Sequence, residues 1–150
     1  VAFDIFLKIT SLSGESINDK HKGEIDVHSF SWGQSRDGGT AQPQELAFVT
    51  PVSIASPQLA KLCAEGTPIE SAQLSVNTAS LKAGNELLMI KLGGITVGSY
   101  QLGVADTDPG LTDRFTLAFS SINIAKRGQS PTGAIGDVSE ATIVFPPQIT

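Results

Sequence analysis

Glu24-Ile25-Asp26-Val27-His28-Ser29-Phe30-Ser31-Trp32 is the stretch whose reading decides the fold. Its period is two, the signature of a strand. Ile25, Val27, Ser29 and Ser31 fall on one face; Glu24, Asp26, His28, Phe30 and Trp32 fall on the other. Two large aromatics at one end of a face suggest core or an interface anchor, and packing against a core is the favoured expectation for Phe30 and Trp32. Ser29 and Ser31 then turn to the opposite side, which would be small and polar.

Working outward, the same period recurs. Phe3, Ile5, Leu7 and Ile9 alternate with Asp4 and Lys8, giving a strand before a polar loop over Ser11 to Lys22. After Trp32, Ser35 to Pro43 contains Gly38-Gly39 and reads as a long mobile loop. Leu46, Phe48 and Thr50 mark a third strand, ended by Pro51. Ser56 is read as the N-cap of a short helix, with Pro57 at its first position and Gly66 as its left-handed terminator. Leu59, Leu62 and Cys63 form its apolar stripe. Ile69 to Thr78 and Glu86 to Leu92 read as strands joined by a turn at Gly84-Asn85, and Ile95 to Leu102 as a further strand after a bend at Gly93-Gly94. Ala105 to Gly110 is a turn. Phe115, Leu117 and Phe119 share a face, and the register then shifts to Ile122 and Ile124, which predicts a bulge near Ser120-Ser121. Gly128 to Asp137 reads as a second flexible loop, followed by a last strand through Ala141, Ile143 and Phe145.

Many short strands, Gly/Pro turns and one helix give an all-β class: a two-sheet antiparallel β-barrel or sandwich with one short α-helix. With 150 residues and no shift in composition, residues 1–150 are expected to form one domain.

Composition excludes several classes. Ten Lys+Arg against 15 Asp+Glu give a net charge of −5, the wrong sign for a nucleic-acid footprint. No apolar run reaches the roughly 18 residues of a membrane helix. The N-terminus lacks the basic and apolar regions of a signal peptide. Cys63 is the only cysteine, so no intrachain disulfide forms; on the helix stripe it reads as a small buried hydrophobe rather than a nucleophile. His21 and His28 lack a cysteine or close carboxylate pair to complete a metal site, and are read as a loop residue and a strand-surface residue. Glu24 and Asp26 read as the solvent face of a strand rather than an acid/base pair. No Ser elbow, P-loop or dinucleotide motif occurs. Catalytic, cofactor and metal residues are therefore expected to be none. Only 17% of residues are charged, against about 25% in ordinary domains, and this shortfall needs a cause.

Several blocks, in order and spacing, resemble the hemolysin-coregulated (Hcp) tube family of type VI secretion systems. These are Ala2-Phe3-Asp4-Ile5-Phe6-Leu7-Lys8-Ile9, Gly14-Glu15-Ser16, His21-Lys22-Gly23-Glu24-Ile25-Asp26-Val27 and Phe30-Ser31-Trp32-Gly33. Ser56-Pro57 with Cys63-Ala64, Ser99-Tyr100-Gln101 and Phe115-Thr116-Leu117-Ala118-Phe119 support the match. Ile124-Ala125-Lys126-Arg127 departs from it, where family members often carry a tyrosine.

The resemblance implies a phage tail-tube-like fold, rings of six that stack into a hollow tube, and no catalysis. Partners would be further copies of the chain, a contractile sheath, a spike protein and small effectors in the lumen, with neither nucleic acid nor membrane insertion. The protein would wait in the bacterial cytoplasm and be secreted without a cleaved signal peptide. A chain ending at Thr150 would have no room for an appended toxin domain, so none is expected. Ser29 and Ser31 would line the lumen. Gln34, Ser35, Arg36, Asp37, Gly38, Gly39 and Thr40 would belong to the loop that contacts a neighbouring ring. The alternative is a carbohydrate- or ligand-binding β-sandwich, which needs Trp32 or Tyr100 exposed beside polar groups. A small hydrolase is a third reading, weakened by the poor catalytic inventory.

Overall fold

The structure is a computed structural model that describes residues 3–78, 87–104, 110–129 and 135–145. Alternation in the opening residues yields β1 (Phe3–Ile9), with Leu7 and Ile9 buried as the pattern demands. Phe6 is buried too, on the other face. Residues 14–24 cause this by folding back over the strand. His21 stacks on Phe6 with ring centroids 4.3 Å apart, and Gly14 N–H donates to Gly23 O at 2.7 Å. His21 thus lies in a loop as expected, but a buried one.

Residues 24–32 are not one strand. They divide into β2 (Ile25–Asp26) and β3 (Ser29–Ser31). Val27 N–H donates to Ile5 O at 3.0 Å and His28 N–H to Val49 O at 2.8 Å, so the chain changes neighbours between these two residues. The change of phase explains the mixed faces: Ile25 and Val27 serve the core before the corner, Phe30 after it.

Residues 34–43 are also more ordered than a mobile loop. They form a hairpin of β4 (Gln34–Asp37) and β5 (Thr40–Pro43). Gly38 and Gly39 have φ of 59° and 88°, the left-handed pair that a tight two-residue turn requires. Next comes β6 (Leu46–Pro51), with the expected strict alternation of burial. Helix α1 (Ser56–Glu65) ends at Gly66 in the left-handed conformation, its N–H bonded to Leu62 O. Its N-cap is Ala55 rather than Ser56. Ser56 lies one position inside, and its hydroxyl is engaged elsewhere.

The remaining strands are β7 (Ile69–Thr78), β8 (Leu88–Val104), β9 (Leu111–Ala118), β10 (Ser121–Gln129) and β11 (Ile135–Val144). Strand β8 runs unbroken where two strands are expected. Gly94, at φ 62°, lets it bend, so its first part pairs with β7 and β10 and its second with β9. At Ser120 the expected bulge is a break between β9 and β10, with Ser120 N–H donating to Gly93 O at 3.0 Å. Strand residues also occupy both ends of 128–137, the expected second loop. The turn at Gly84-Asn85 and most of the turn at 105–110 lie outside the described residues.

All pairings are antiparallel, in the order β2-β1-β7-β8-β9-β6-β3, with β10 joining β8 and β11 joining β10. The ends of this order, β2 and β3, are separated by only Val27 and His28, so one sheet curls back toward its own beginning. Its two halves face each other across one core, with Leu7, Leu74, Ile90 and Ile122 from one and Leu46, Phe48, Phe115 and Leu117 from the other. The mainly β architecture, with a single short helix among the described residues, is thus the one the alternation predicts. Among the described residues no helix is long and apolar enough to cross a membrane.

Candidate functional site

Strands β3, β6, β9 and β8 form a four-stranded patch whose registers line up. Phe30, Phe48, Phe115 and Tyr100 stand opposite one another, one per strand. They form an aromatic row on the core side, with Phe48 and Phe115 stacked at 5.1 Å. Since side chains alternate, the rows on either side of it point outward. One is Ser29, Val49, Arg114 and Gln101; the other is Ser31, Ala47, Thr116 and Ser99. Ser29, Ser31, Ser99, Gln101 and Arg114 are exposed, and the other three are half-buried. The two outward rows therefore carry small, mostly polar side chains and one guanidinium, and the exposed Glu45 carboxylate lies on the same face beyond them.

A short chain of hydrogen bonds crosses this face. Ser99 and Thr116 share a hydroxyl–hydroxyl bond at 2.9 Å, and Thr116 donates to Glu45 Oε1 at 2.6 Å. The Glu45 carboxylate lies against Gly98, where a Cβ would meet its Oε1 at 1.9 Å. Gly98 is also where β8 slips register against β9, so the small residue makes room for both features.

Beside the patch stands the β4–β5 hairpin. Gln34, Ser35, Arg36, Asp37, Gly38, Gly39 and Thr40 are all exposed, and the ribbon pairs only with itself among the described residues. Its base is fixed. Trp32 Nε1–H donates to Gln44 O at 2.7 Å, and Gln44 N–H to Gly33 O at 3.0 Å. Trp32 also meets Phe119 at 6.1 Å between ring centroids, and Phe119 meets Phe145 at 6.0 Å. Phe30 and Trp32 are both half-buried and pack against the core cluster.

Behind the aromatic row lies a site the sequence reading missed. Asp113 is 1% exposed. Tyr100 OH donates to its Oδ1 at 2.6 Å, and Ser56 Oγ donates to its Oδ2. Ser56 Oγ also accepts from Ser53 N–H at 2.9 Å. Burial first, then the hydrogen bond and negative charge of Asp113, push the Tyr100 phenol up to about 12, with Ser56 pulling the other way. The signal was available: Asp113 has the parity of Phe115 and Leu117, which puts a carboxylate on a core face. The network ties the start of α1 to β9 and β8 and includes no histidine, so it is a clasp rather than a nucleophile–base pair.

Other candidates stay apart. His28 is exposed at the corner, and Cys63 is half-buried on α1. His21 Nδ1 lies 3.1 Å from both Glu24 oxygens, so Glu24 faces the histidine rather than pairing with Asp26. No group of three His, Cys, Asp or Glu side chains among the described residues is arranged to hold a metal. Trp32 and Tyr100 are both half-buried, the indole N–H bonded to Gln44 O at the hairpin base and the phenol to Asp113, so neither stands as an open aromatic platform.

Comparison with known proteins gives one answer. The family model described as "Type VI secretion system effector, Hcp" matches residues 6–125. Protein hcp1 of Pseudomonas aeruginosa is 31% identical over 144 residues, covering 89% of each chain. The crystal structure of Hcp1 from Salmonella typhimurium superposes with a TM-score of 0.83 at 29% identity, covering 97% of this chain and 96% of that one. A type VI secretion system effector from Yersinia pestis shares the fold, with a TM-score of 0.81 at 24% identity, over 95% of this chain and 100% of that one. On the family match and the P. aeruginosa relative together, the chain belongs to the Hcp family of type VI secretion proteins.

Proposed function

We propose that this chain is a ring-forming tube subunit, in which the outer face of β3, β6, β9 and β8 lines the channel and the β4–β5 hairpin meets the next ring. Six copies would close each ring, and rings would stack inside a sheath behind a spike. The carrying observation is the polar face itself. Its two outward rows are small and nearly uncharged, while the row between them is aromatic and fixed in the core. A wall of that kind offers short hydroxyl and amide groups and a single cation per copy, which suits a channel that holds small effectors and releases them. In this reading the work is mechanical and chaperone-like, with no catalytic step.

The hairpin supports the second half of the reading. A two-stranded ribbon with both faces exposed has little stability of its own in water, so a partner surface would hold its shape. Heterologous contacts between identical copies either close into rings or continue as stacks, and a tube needs both. Residues 1–150 acting as one unit, cytoplasmic storage before firing and secretion afterwards complete the proposal.

Ring formation and stacking are tested separately. Light scattering on the eluting protein gives the copy number, and shortening the hairpin by removing residues 37–40 tests stacking. Intact rings that stack less support the hairpin's role. Loss of folded protein on that deletion would assign the hairpin to the core instead.

A further inference from the structure

We propose that Arg114 sets which passengers the channel face accepts, by selecting surfaces rich in carboxylates. The proposal rests on the reading that this face lines the channel. Arg114 is exposed in the row Ser29, Val49, Arg114, Gln101, where its neighbours are a hydroxyl, an aliphatic group and an amide. None of them can neutralise it. Glu45, the exposed acid on the same face, accepts a hydrogen bond from Thr116 in the other outward row and makes no ion pair with Arg114. Asp113 points into the core, held by Tyr100 and Ser56. The salt bridges among the described residues are His21–Glu24 and Lys61–Glu65, and Arg114 takes part in neither.

A guanidinium in such a setting offers its planar fork to a bidentate carboxylate. Ring symmetry then multiplies the effect, because each copy places one Arg114 at the same height. The result is a belt of fixed positive charge, the device by which charged rings select ions in pores. Channel walls of low dielectric focus that field on the bore. The chain as a whole carries −5, so a preference for acidic passengers cannot arise from its overall charge.

The test uses assembled rings with a fluorophore on a Ser29→Cys thiol, in a Cys63→Ala background. The probes are a short poly-glutamate peptide and a poly-lysine peptide of equal length, each carrying a quencher. Rings should bind poly-glutamate in preference, Arg114→Gln should weaken that binding about tenfold, and Arg114→Glu should reverse the preference. Both effects should fade in high salt. Poly-glutamate binding that is the same in all three overturns the proposal. Arg114 variants that no longer form rings assign the residue to assembly and overturn it as well. Absence of rings in micrographs of the unsubstituted protein overturns the channel reading itself, and the proposal with it.

Discussion

A carboxylate buried in a β core needs donors, and Asp113 has two hydroxyls, from Tyr100 and Ser56. Replacing Asp113 by Ala strands both partners, so chemical denaturation should report a loss of about 2–3 kcal/mol. Tyr100 is the only tyrosine, so the tyrosinate absorbance of the whole protein reports this one site. Its phenol is raised from 10.0 to about 12 in the folded chain, which means that the folded state holds the proton more tightly. The stability from this group is full below pH 10 and lost as pH rises toward 12. A Tyr100→Phe variant should lack that alkaline drop, and tyrosinate appearing near pH 10 in folded protein would contradict the clasp. Ser75 makes the opposite case. It is 0% exposed, and its hydroxyl has no hydrogen-bond partner among the described residues. Ser75→Ala should raise stability by about 1 kcal/mol in the same denaturation measurement.

At the scale of elements, alternation and turn chemistry decide most of what forms. The strict alternation of residues 46–51 and the Ser-Pro to Gly66 span of α1 were legible because each reflects one local preference. Residues 24–32 were legible only in part, since a period-two pattern does not say where a strand changes partners. The corner at Val27–His28 is set by hydrogen bonds to Ile5 and Val49, which are distant in sequence. The hairpin was misread for a different reason. Gly38-Gly39 is equally at home in a mobile loop and in a tight turn, and Gln34 to Pro43 is too polar to show alternation. Gly14 carries a sharper prediction for the loop over β1. A Cβ there would meet Glu24 O at 2.5 Å and Ile25 Cα at 2.7 Å, both backbone atoms. Gly14→Ala should lift the loop, with its His21, off Phe6, cost about 2 kcal/mol or more, and speed amide exchange over residues 14–24. Exchange and stability unchanged from the parent would show that the loop accommodates a Cβ.

For the whole molecule, the low content of charged residues acquires a candidate cause. Charge is depleted at the centre of protein interfaces, and a tube subunit turns much of its outside toward other copies or the bore. Parity puts Ser29 and Ser31 on one face and both are exposed, while their place in a channel belongs to the proposal. Asp113 was legible by the same parity, which puts it on the core face with Phe115 and Leu117, whereas the setting of Arg114 depends on three neighbouring strands whose registers no single segment encodes. The central claim is that identical copies surround the face carrying Ser31, Ala47, Thr116 and Ser99. Electron cryomicroscopy of the purified protein at high concentration tests it most directly. The account predicts six-fold rings whose bore is lined by that face. A uniform monomer, or rings with that face turned outward, would contradict it.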